Sequence, residues 1–304
     1  MRLPLPRAAR HRLEDSLAGA VFALARSAPR RTSLALGRGL GRAIAAADRR
    51  HVAIAVANLR GAFPDWDEAR LDRTARAVYA HVGEVLFDVA WMAGRGRDEI
   101  LSLVDVEGGE HVAAARAAGR GILFATAHIG SWELCGVAHG WNYAPMGVVY
   151  RPLDNPHLDR RLAAIRQMSG NVAIDKRRAL GQLLRRLRRG EDVALLIDQN
   201  VQEQDGIFAR FFDRPAATTT SAALLHLKTG CTLMGGWLER LPDRHYRQHY
   251  EPPLRVEPSG DRDRDAARVT QALNDMIERW IRKVPEQWLW IHRRWHTQPK
   301  GGAE

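Results

Sequence analysis

Gly121-Ile-Leu-Phe-Ala-Thr-Ala-His-Ile-Gly-Ser-Trp-Glu133 is the stretch on which the fold reading turns. Its first seven residues form a short apolar run that reads as a strand. Gly130-Ser131 then marks a turn and a helix start, because Ser is a favoured amino-terminal cap. His128 therefore stands at the carboxyl end of a strand, and Glu133 stands one turn into the next element. An imidazole and a carboxylate so placed suit a base with its orienter.

The same texture continues downstream. From about residue 121, short β-branched or aliphatic runs alternate with helical stretches, which predicts βα units and a largely parallel sheet. Strands are predicted at 121–127, 146–150, 171–174, 192–197 and 231–237, with helices at 131–140, 157–169, 177–189 and 219–229 between them. In 177–189, Leu180, Leu183, Leu184 and Leu187 share a face. A last helix, about 264–283, aligns Val269, Leu273, Met276, Ile277, Trp280 and Ile281. Upstream, residues 1–100 read as helices broken at Pro29 and around Gly61–Asp67. The expected class is α/β, with a mixed, largely parallel central sheet flanked by helices. The expected division is a helical amino-terminal region, 1–100, and an α/β domain, 101–304.

Charge is unevenly placed. The net charge is +11, and residues 1–50 hold eleven Arg against Glu14, Asp15 and Asp48. Such a segment is drawn to a polyanion, either nucleic acid or an anionic membrane face. Residues 33–47 carry Leu34, Leu36, Leu40 and Ile44 with Arg38 and Arg42, a basic helix suited to a membrane interface or to an ordinary solvated surface. No run approaches the roughly 18 to 20 apolar residues of a spanning helix, and no clean signal peptide is seen. Cys135 and Cys231 have neither metal-ligand spacing nor disulfide density. The His and acidic residues form no recognisable ligand cluster, so neither metal nor cofactor is expected.

Spacing alone leaves two readings of the His128 segment open. His128 is either a general base whose other ring N–H is held by Glu133, or a structural hydrogen-bonder beside a Glu favoured by the helix dipole. The Gly121–Gly136 stretch, with its His-x₄-Glu core, resembles the signature of glycerolipid-type acyltransferases. Asn58-Leu-Arg-Gly-Ala-Phe-Pro64, Val149-Tyr-Arg-Pro-Leu-Asp154, Leu196-Ile-Asp-Gln-Asn200, Gly206-Ile-Phe-Ala-Arg-Phe-Phe-Asp-Arg-Pro-Ala216 and Pro285-Glu-Gln-Trp-Leu-Trp-Ile-His-Arg-Arg294 resemble further blocks of one branch. That branch is the late acyltransferases of lipid A biosynthesis, which includes phosphatidylinositol mannoside acyltransferases.

The resemblance implies an O-acyltransferase in which His128 is the base and Glu133 its partner. Arg151, Asp198 and Gln199 would face the substrate. Independently of the resemblance, Arg210 and Arg214 flank Phe211-Phe212, a cationic pair beside aromatics that suits a lipid head-group phosphate. Arg151 equally suits a structural ion pair with Asp198 or Glu133, and 206–216 equally suits a hairpin with two buried Phe. Trp288, Trp290 and Trp295 with Arg293 and Arg294 suit either an interfacial belt or core packing. The implied donor is an acyl thioester of acyl carrier protein or coenzyme A, and the implied acceptor is a hydroxyl of a membrane phospho- or glycolipid. The implied setting is the cytoplasmic face of the inner membrane, held peripherally on an anionic surface. Two rivals remain: a lipid esterase or thioesterase using the same His, and a basic nucleic-acid-binding protein, for which no binding motif is found.

Overall fold

A computed structural model describes residues 6–299. Residues 1–5 and 300–304, the outer ends of the two expected regions, lie outside the described residues. Four helices come first: α1 (Arg7–Ser27), α2 (Arg30–Ala47), α3 (Arg49–Ala62) and α4 (Glu68–Met92). They break at Pro29 and between Gly61 and Asp67, as expected, and again at Asp48, which caps α3 by accepting from the His51 N–H. Asp67 caps α4 in the same way, accepting from the Arg70 N–H at 2.6 Å.

Helix α5 (Arg97–Leu101), β1 (Val104–Glu107) and α6 (Gly109–Ala117) lead into the alternating part. There β2 (Ile122–Thr126), α7 (Trp132–Asn142), β3 (Met146–Tyr150), α8 (Pro156–Arg166), β4 (Val172–Asp175), α9 (Ala179–Arg188) and β5 (Asp192–Leu196) follow in turn. Next come a hairpin, β6 (Ile207–Phe211) and β7 (Arg214–Thr218), then α10 (Ser221–Thr229), β8 (Thr232–Arg240), β9 (Tyr246–Tyr250) and α11 (Arg262–Lys283).

The main sheet has seven strands in the order β1-β9-β8-β2-β5-β3-β4. Every neighbouring pair is parallel except β8–β9. This is the expected mixed, largely parallel α/β sheet. Two of its strands are absent from the sequence reading, and both are polar: β1 is Val-Asp-Val-Glu on the sheet edge, and β9 is Tyr-Arg-Gln-His-Tyr. By contrast β2 is apolar on both faces and buried along its length, as a central parallel strand must be.

One core cluster joins the sheet to the helices around it. It contains Leu123, Val193 and Leu233 from central strands, Leu273 and Ile277 from α11, and Val52, Leu59 and Leu71 from α3 and α4. The predicted stripe of α11 is buried throughout. In α9, Leu183 and Leu187 are buried, whereas Leu180 in the first turn stays exposed. The aromatic segment after α11 is core: Trp288, Trp290, Trp295 and Arg294 are all buried. The interfacial-belt reading of these residues is therefore corrected. The Arg294 guanidinium donates to Ala217 O and Thr218 Oγ1 at 2.7 and 2.6 Å, pinning this segment to β7.

Helices α2 and α4 cross at backbone contact. A Cβ on Gly41 would lie 2.0 Å from Tyr79 O, and one on Gly37 would lie 2.4 Å from Gly83 O. Only glycine permits that approach, and it fixes which side chains of α2 flank α4.

Candidate active site

Strands β2 and β5 are parallel neighbours, with Thr126 opposite Leu196. The Ile197 N–H donates to Thr126 O at 3.0 Å, extending the register by one step. Two residues past the Thr126–Leu196 pair, the chains bring His128 and Asp198 together at the carboxyl ends of the strands, where open α/β sheets bind ligands. His128 Nδ1 lies 2.9 Å from Asp198 Oδ1. The His128 backbone N–H and the Trp288 indole N–H each donate to Asp198 Oδ2 at 2.8 Å. With the carboxylate holding the Nδ1 proton, the neutral ring keeps Nε2 as its acceptor.

The electrostatics agree with that geometry. Asp198 is buried, which alone would push its pKa up. The facing His128 charge, the ring and backbone hydrogen bonds and the Trp288 donor outweigh burial and bring it to about 2. Burial likewise works against charging His128, but the Asp198 charge and hydrogen bond overcome it, with a smaller contribution from Glu133. The imidazole is thus held above its ordinary pKa.

Glu133 does not orient His128 through a hydrogen bond, contrary to expectation. Its carboxylate is taken by Arg166, whose Nε and Nη2 donate at 2.8 and 2.5 Å in a fork. The reason is topological. The chain turns at Gly130, where φ is +58°, and α7 starts at Trp132, which leaves Glu133 facing α8 while β5 supplies the acid beside the ring. Glu133 still acts on His128 through its charge.

The turn between them is tied on three sides. Gly130 N–H donates to Gln287 O and Ser131 N–H to Leu238 O, at 3.0 and 3.1 Å. Gly130 O faces His81 Nε2 at 3.1 Å, and Arg240 donates to His81 Nδ1 at 2.7 Å. Because Arg240 can only donate, His81 must be neutral, with its proton on Nε2 directed at the turn. Burial and the nearby Arg240 charge push its pKa down to about 3.

Neither Ser131 nor Cys135, the Ser and Cys nearest His128 in the chain, offers a ready nucleophile. Ser131 is fully buried, and burial pushes the Cys135 thiol up to about 12. Among the described residues no group of three or more His, Cys, Asp or Glu could hold a metal. Beside His128, the Trp132 ring stands edge-on at 5.5 Å between centroids. Trp132 also borders a narrow apolar cavity of about 50 Å³, lined by Phe124, Met146, Val148, Leu196 and Gly236 and bounded by Tyr250.

The family model for the bacterial lipid A biosynthesis acyltransferases matches residues 7–297. This chain belongs to that family. The lauroyltransferase of lipid A biosynthesis from Escherichia coli K12 is 31% identical over 88% of this chain and 86% of its own. The palmitoleoyltransferase of the same organism is 30% identical over 83% and 81%. A phosphatidylinositol mannoside acyltransferase of Mycolicibacterium smegmatis is 26% identical over 74% and 72%. The protein is an acyltransferase.

Of the three other residues expected in this acyltransferase's site, Arg151 and Arg210 pair elsewhere, and Gln199 adjoins Asp198 in the chain. Arg151 is largely exposed and pairs with Asp154 at 3.3 Å, in a loop beyond β3, so it contacts neither Asp198 nor Glu133. Gln199 is exposed one residue past Asp198. Arg210 is exposed and lies 3.9 Å from Asp213 on the β6–β7 hairpin. That hairpin closes through Phe212 and Asp213, both with positive φ, and buries Phe211 and Phe212. Conversely, sequence reading missed Arg166 and His81. Nothing in their spacing marks them; each reaches the site from an element distant in the chain.

Proposed function

We propose that the protein moves a fatty acyl chain from a thioester of acyl carrier protein or coenzyme A to a hydroxyl of a membrane phospho- or glycolipid of the lipid A type. The observation that carries this is the His128–Asp198 pair at the strand ends, its carboxylate buried and its ring partly exposed, with Nε2 of the ring left as acceptor. The acceptor hydroxyl gives its proton to Nε2 as its oxygen attacks the thioester carbonyl. The tetrahedral oxyanion then collapses, the C–S bond breaks, and the thiolate takes the proton back from the imidazolium. Products are an ester and a free thiol, and no covalent enzyme intermediate is needed. Asp198 holds the tautomer and stabilises the imidazolium, assistance worth about 10²- to 10⁴-fold in rate. The free N–H groups of the first turn of α7 are the donors nearest the developing oxyanion.

Arg166 holds Glu133 in place through its guanidinium fork, so that the imidazolium forms near two carboxylates. The acyl chain lies against Trp132, and the narrow apolar cavity of about 50 Å³ beside that ring takes only a few of its carbons. Leu13, Leu17 and Leu24 share one exposed face of α1, and Leu36, Leu40 and Ile44 share one exposed face of α2. These two apolar stripes on Arg-rich helices hold the enzyme in the headgroup layer of the cytoplasmic face of the inner membrane. No helix among the described residues is long and apolar enough to cross a membrane.

The test uses purified protein, a labelled acyl thioester and lipid acceptor vesicles. His128→Ala should abolish formation of acylated lipid while thermal unfolding remains at the wild-type temperature. Transfer at the normal rate by a folded His128→Ala protein would overturn the mechanism. Release of free fatty acid without acylated lipid would instead make the protein a hydrolase.

A further inference from the structure

A second cavity, of about 630 Å³, is lined in part by His81 and Gln287, which hold Gly130 of the 129–131 turn. Its wall carries Arg38 and Arg42 from α2, Arg73 and Arg76 from α4, Arg240 from the end of β8 and Arg244 from the β8–β9 connection. Against these six guanidinium groups stand three carboxylates, those of Glu84, Glu239 and Glu286. Two of the acids are already engaged. Glu84 holds both Arg38, at 2.9 Å, and Arg240. Glu239 holds Lys283 at 2.8 Å and faces His249. Arg42 and Arg73 have no acidic partner among the described residues, and Arg76 is shared only with Asp72.

This convergence is built by the backbone. Gly37 and Gly41 seat α2 on Gly83 and Tyr79 of α4, with no room for even a methyl group. The next residues along, Arg38 and Arg42, are four apart and emerge together on one flank of that contact, beside Arg73 and Arg76. Like charges held together by a rigid crossing cost free energy unless an anion joins them. Guanidinium forks from three elements around one space match a multiply charged oxyanion, which can accept bidentate bonds from several directions. A single carboxylate would leave most of these donors unused.

We propose that this cleft binds a phosphate group, either a phosphomonoester or a pyrophosphate, at a site separate from the His128–Asp198 centre. The occupant is bound by Arg42 and Arg73, with Arg38, Arg76 and Arg244 closing round it. Arg240 lies between the two sites. It lines the cleft and donates to His81, whose Nε2 faces the carbonyl of Gly130 in the catalytic turn. The phosphate comes either from a lipid headgroup or from a free anion, and the test separates the two.

Inorganic pyrophosphate is titrated by calorimetry at matched ionic strength into the full-length protein. Controls are the Arg42→Gln/Arg73→Gln double variant and an Arg185→Gln/Arg188→Gln double variant on α9. Saturable one-to-one binding is expected, weakened at least tenfold in the first variant and unchanged in the second. A response that does not saturate, or that is equal in both double variants, overturns the site. Flotation with phosphatidylcholine vesicles containing phosphatidic acid, with and without pyrophosphate, identifies the source. Competition that disappears in Arg42→Gln/Arg73→Gln assigns the cleft to a lipid headgroup. Saturable pyrophosphate binding without competition assigns it to a free anion. Acyl transfer by the first variant on a soluble acceptor should match wild type, which distinguishes failure of this site from failure of the catalytic reading.

Discussion

His128 and Asp198 stand at the same level of two adjacent parallel strands, and the ring Nδ1 meets the carboxylate at 2.9 Å. Three donors converge on that carboxylate, so its position is set by β2, β5 and the segment carrying Trp288 together. Replacing Asp198 by Asn keeps the shape but presents an amide that can donate to Nδ1, favouring the wrong tautomer. The expected loss in kcat/KM is about 10²- to 10⁴-fold, measured with labelled acyl thioester. A variant within threefold of wild type would show that the pair is structural.

The pH profile supplies a sign. Asp198 and Glu133 raise the His128 pKa, and burial lowers it. The base works unprotonated, so the acidic limb of kcat/KM in wild type should lie above the ordinary imidazole value of about 6.5. In Asp198→Asn the raising contributions of that residue vanish and burial remains, so the residual activity should show its limb at lower pH. A limb that does not move assigns the titration to another group.

Glu133→Gln probes the second carboxylate. It removes the ion-pair partner of the Arg166 cation near His128, and that cation lowers the imidazole pKa. The acidic limb should again move down. The rate loss should be smaller than for Asp198→Asn, because Glu133 makes no hydrogen bond to the ring. A larger loss would mean that Glu133 touches substrate or the reacting atoms directly.

Which parts of this were legible beforehand follows from what a linear pattern contains. Strands β2, β3 and β5 were placed within one residue at either end because central parallel strands must be apolar over their whole length. β1 and β9 escaped because an edge strand such as Val104–Glu107, and a strand reading Tyr-Arg-Gln-His-Tyr, carry no such run. His128 and Asp198 were each visible as residues just past a strand. Their partnership was not, because it depends on β2 lying next to β5 rather than next to β3, and strand order is not written in periodicity. Nearness in sequence points Glu133 at the ring, and the same criterion gives no hint of Arg166, 33 residues further along the chain. A hairpin with two buried Phe is one of the two readings that 206–216 allows from sequence, and it is the one observed.

His81 offers a stability measurement. Its folded pKa is about 3, below the ordinary value near 6.5. Between those values the unfolded chain binds a proton that the folded chain refuses, so folding stability falls as pH drops from about 6.5 toward 3 and is unaffected above. Gln can present a donor to Gly130 O and an acceptor to Arg240 without titrating. His81→Gln should therefore flatten this part of the acid slope in urea melts and retain most activity. His81→Ala leaves the buried carbonyl of Gly130 unpaired and should cost about 1–3 kcal/mol at neutral pH. It should also lower kcat, since the turn carrying His128 is loosened. An unchanged acid slope in His81→Gln would mean that His81 is protonated in the folded protein.

Gly236 tests where the acyl chain lies. A Cβ at this position would sit 3.4 Å from the Phe124 ring and 3.5 Å from Tyr250, in ordinary contact, so the side chain of β8 there points into the apolar cavity. The preceding Gly235 is different: a Cβ there would lie 2.5 Å from Met276 Sδ, against α11. Gly236→Ala therefore narrows the cavity, whose volume of about 50 Å³ leaves no room for a larger side chain, without prising the helix from the sheet. If the acyl chain enters beside Trp132 and runs past Phe124, the variant should discriminate against long donors and spare short ones. Each methylene denied its pocket is worth about 1–3 kcal/mol, or roughly 10- to 200-fold in kcat/KM. Competition between long- and short-chain thioesters, read by mass spectrometry of the acylated lipid, measures the ratio directly. An unchanged ratio in a protein with a wild-type melting temperature would place the chain elsewhere.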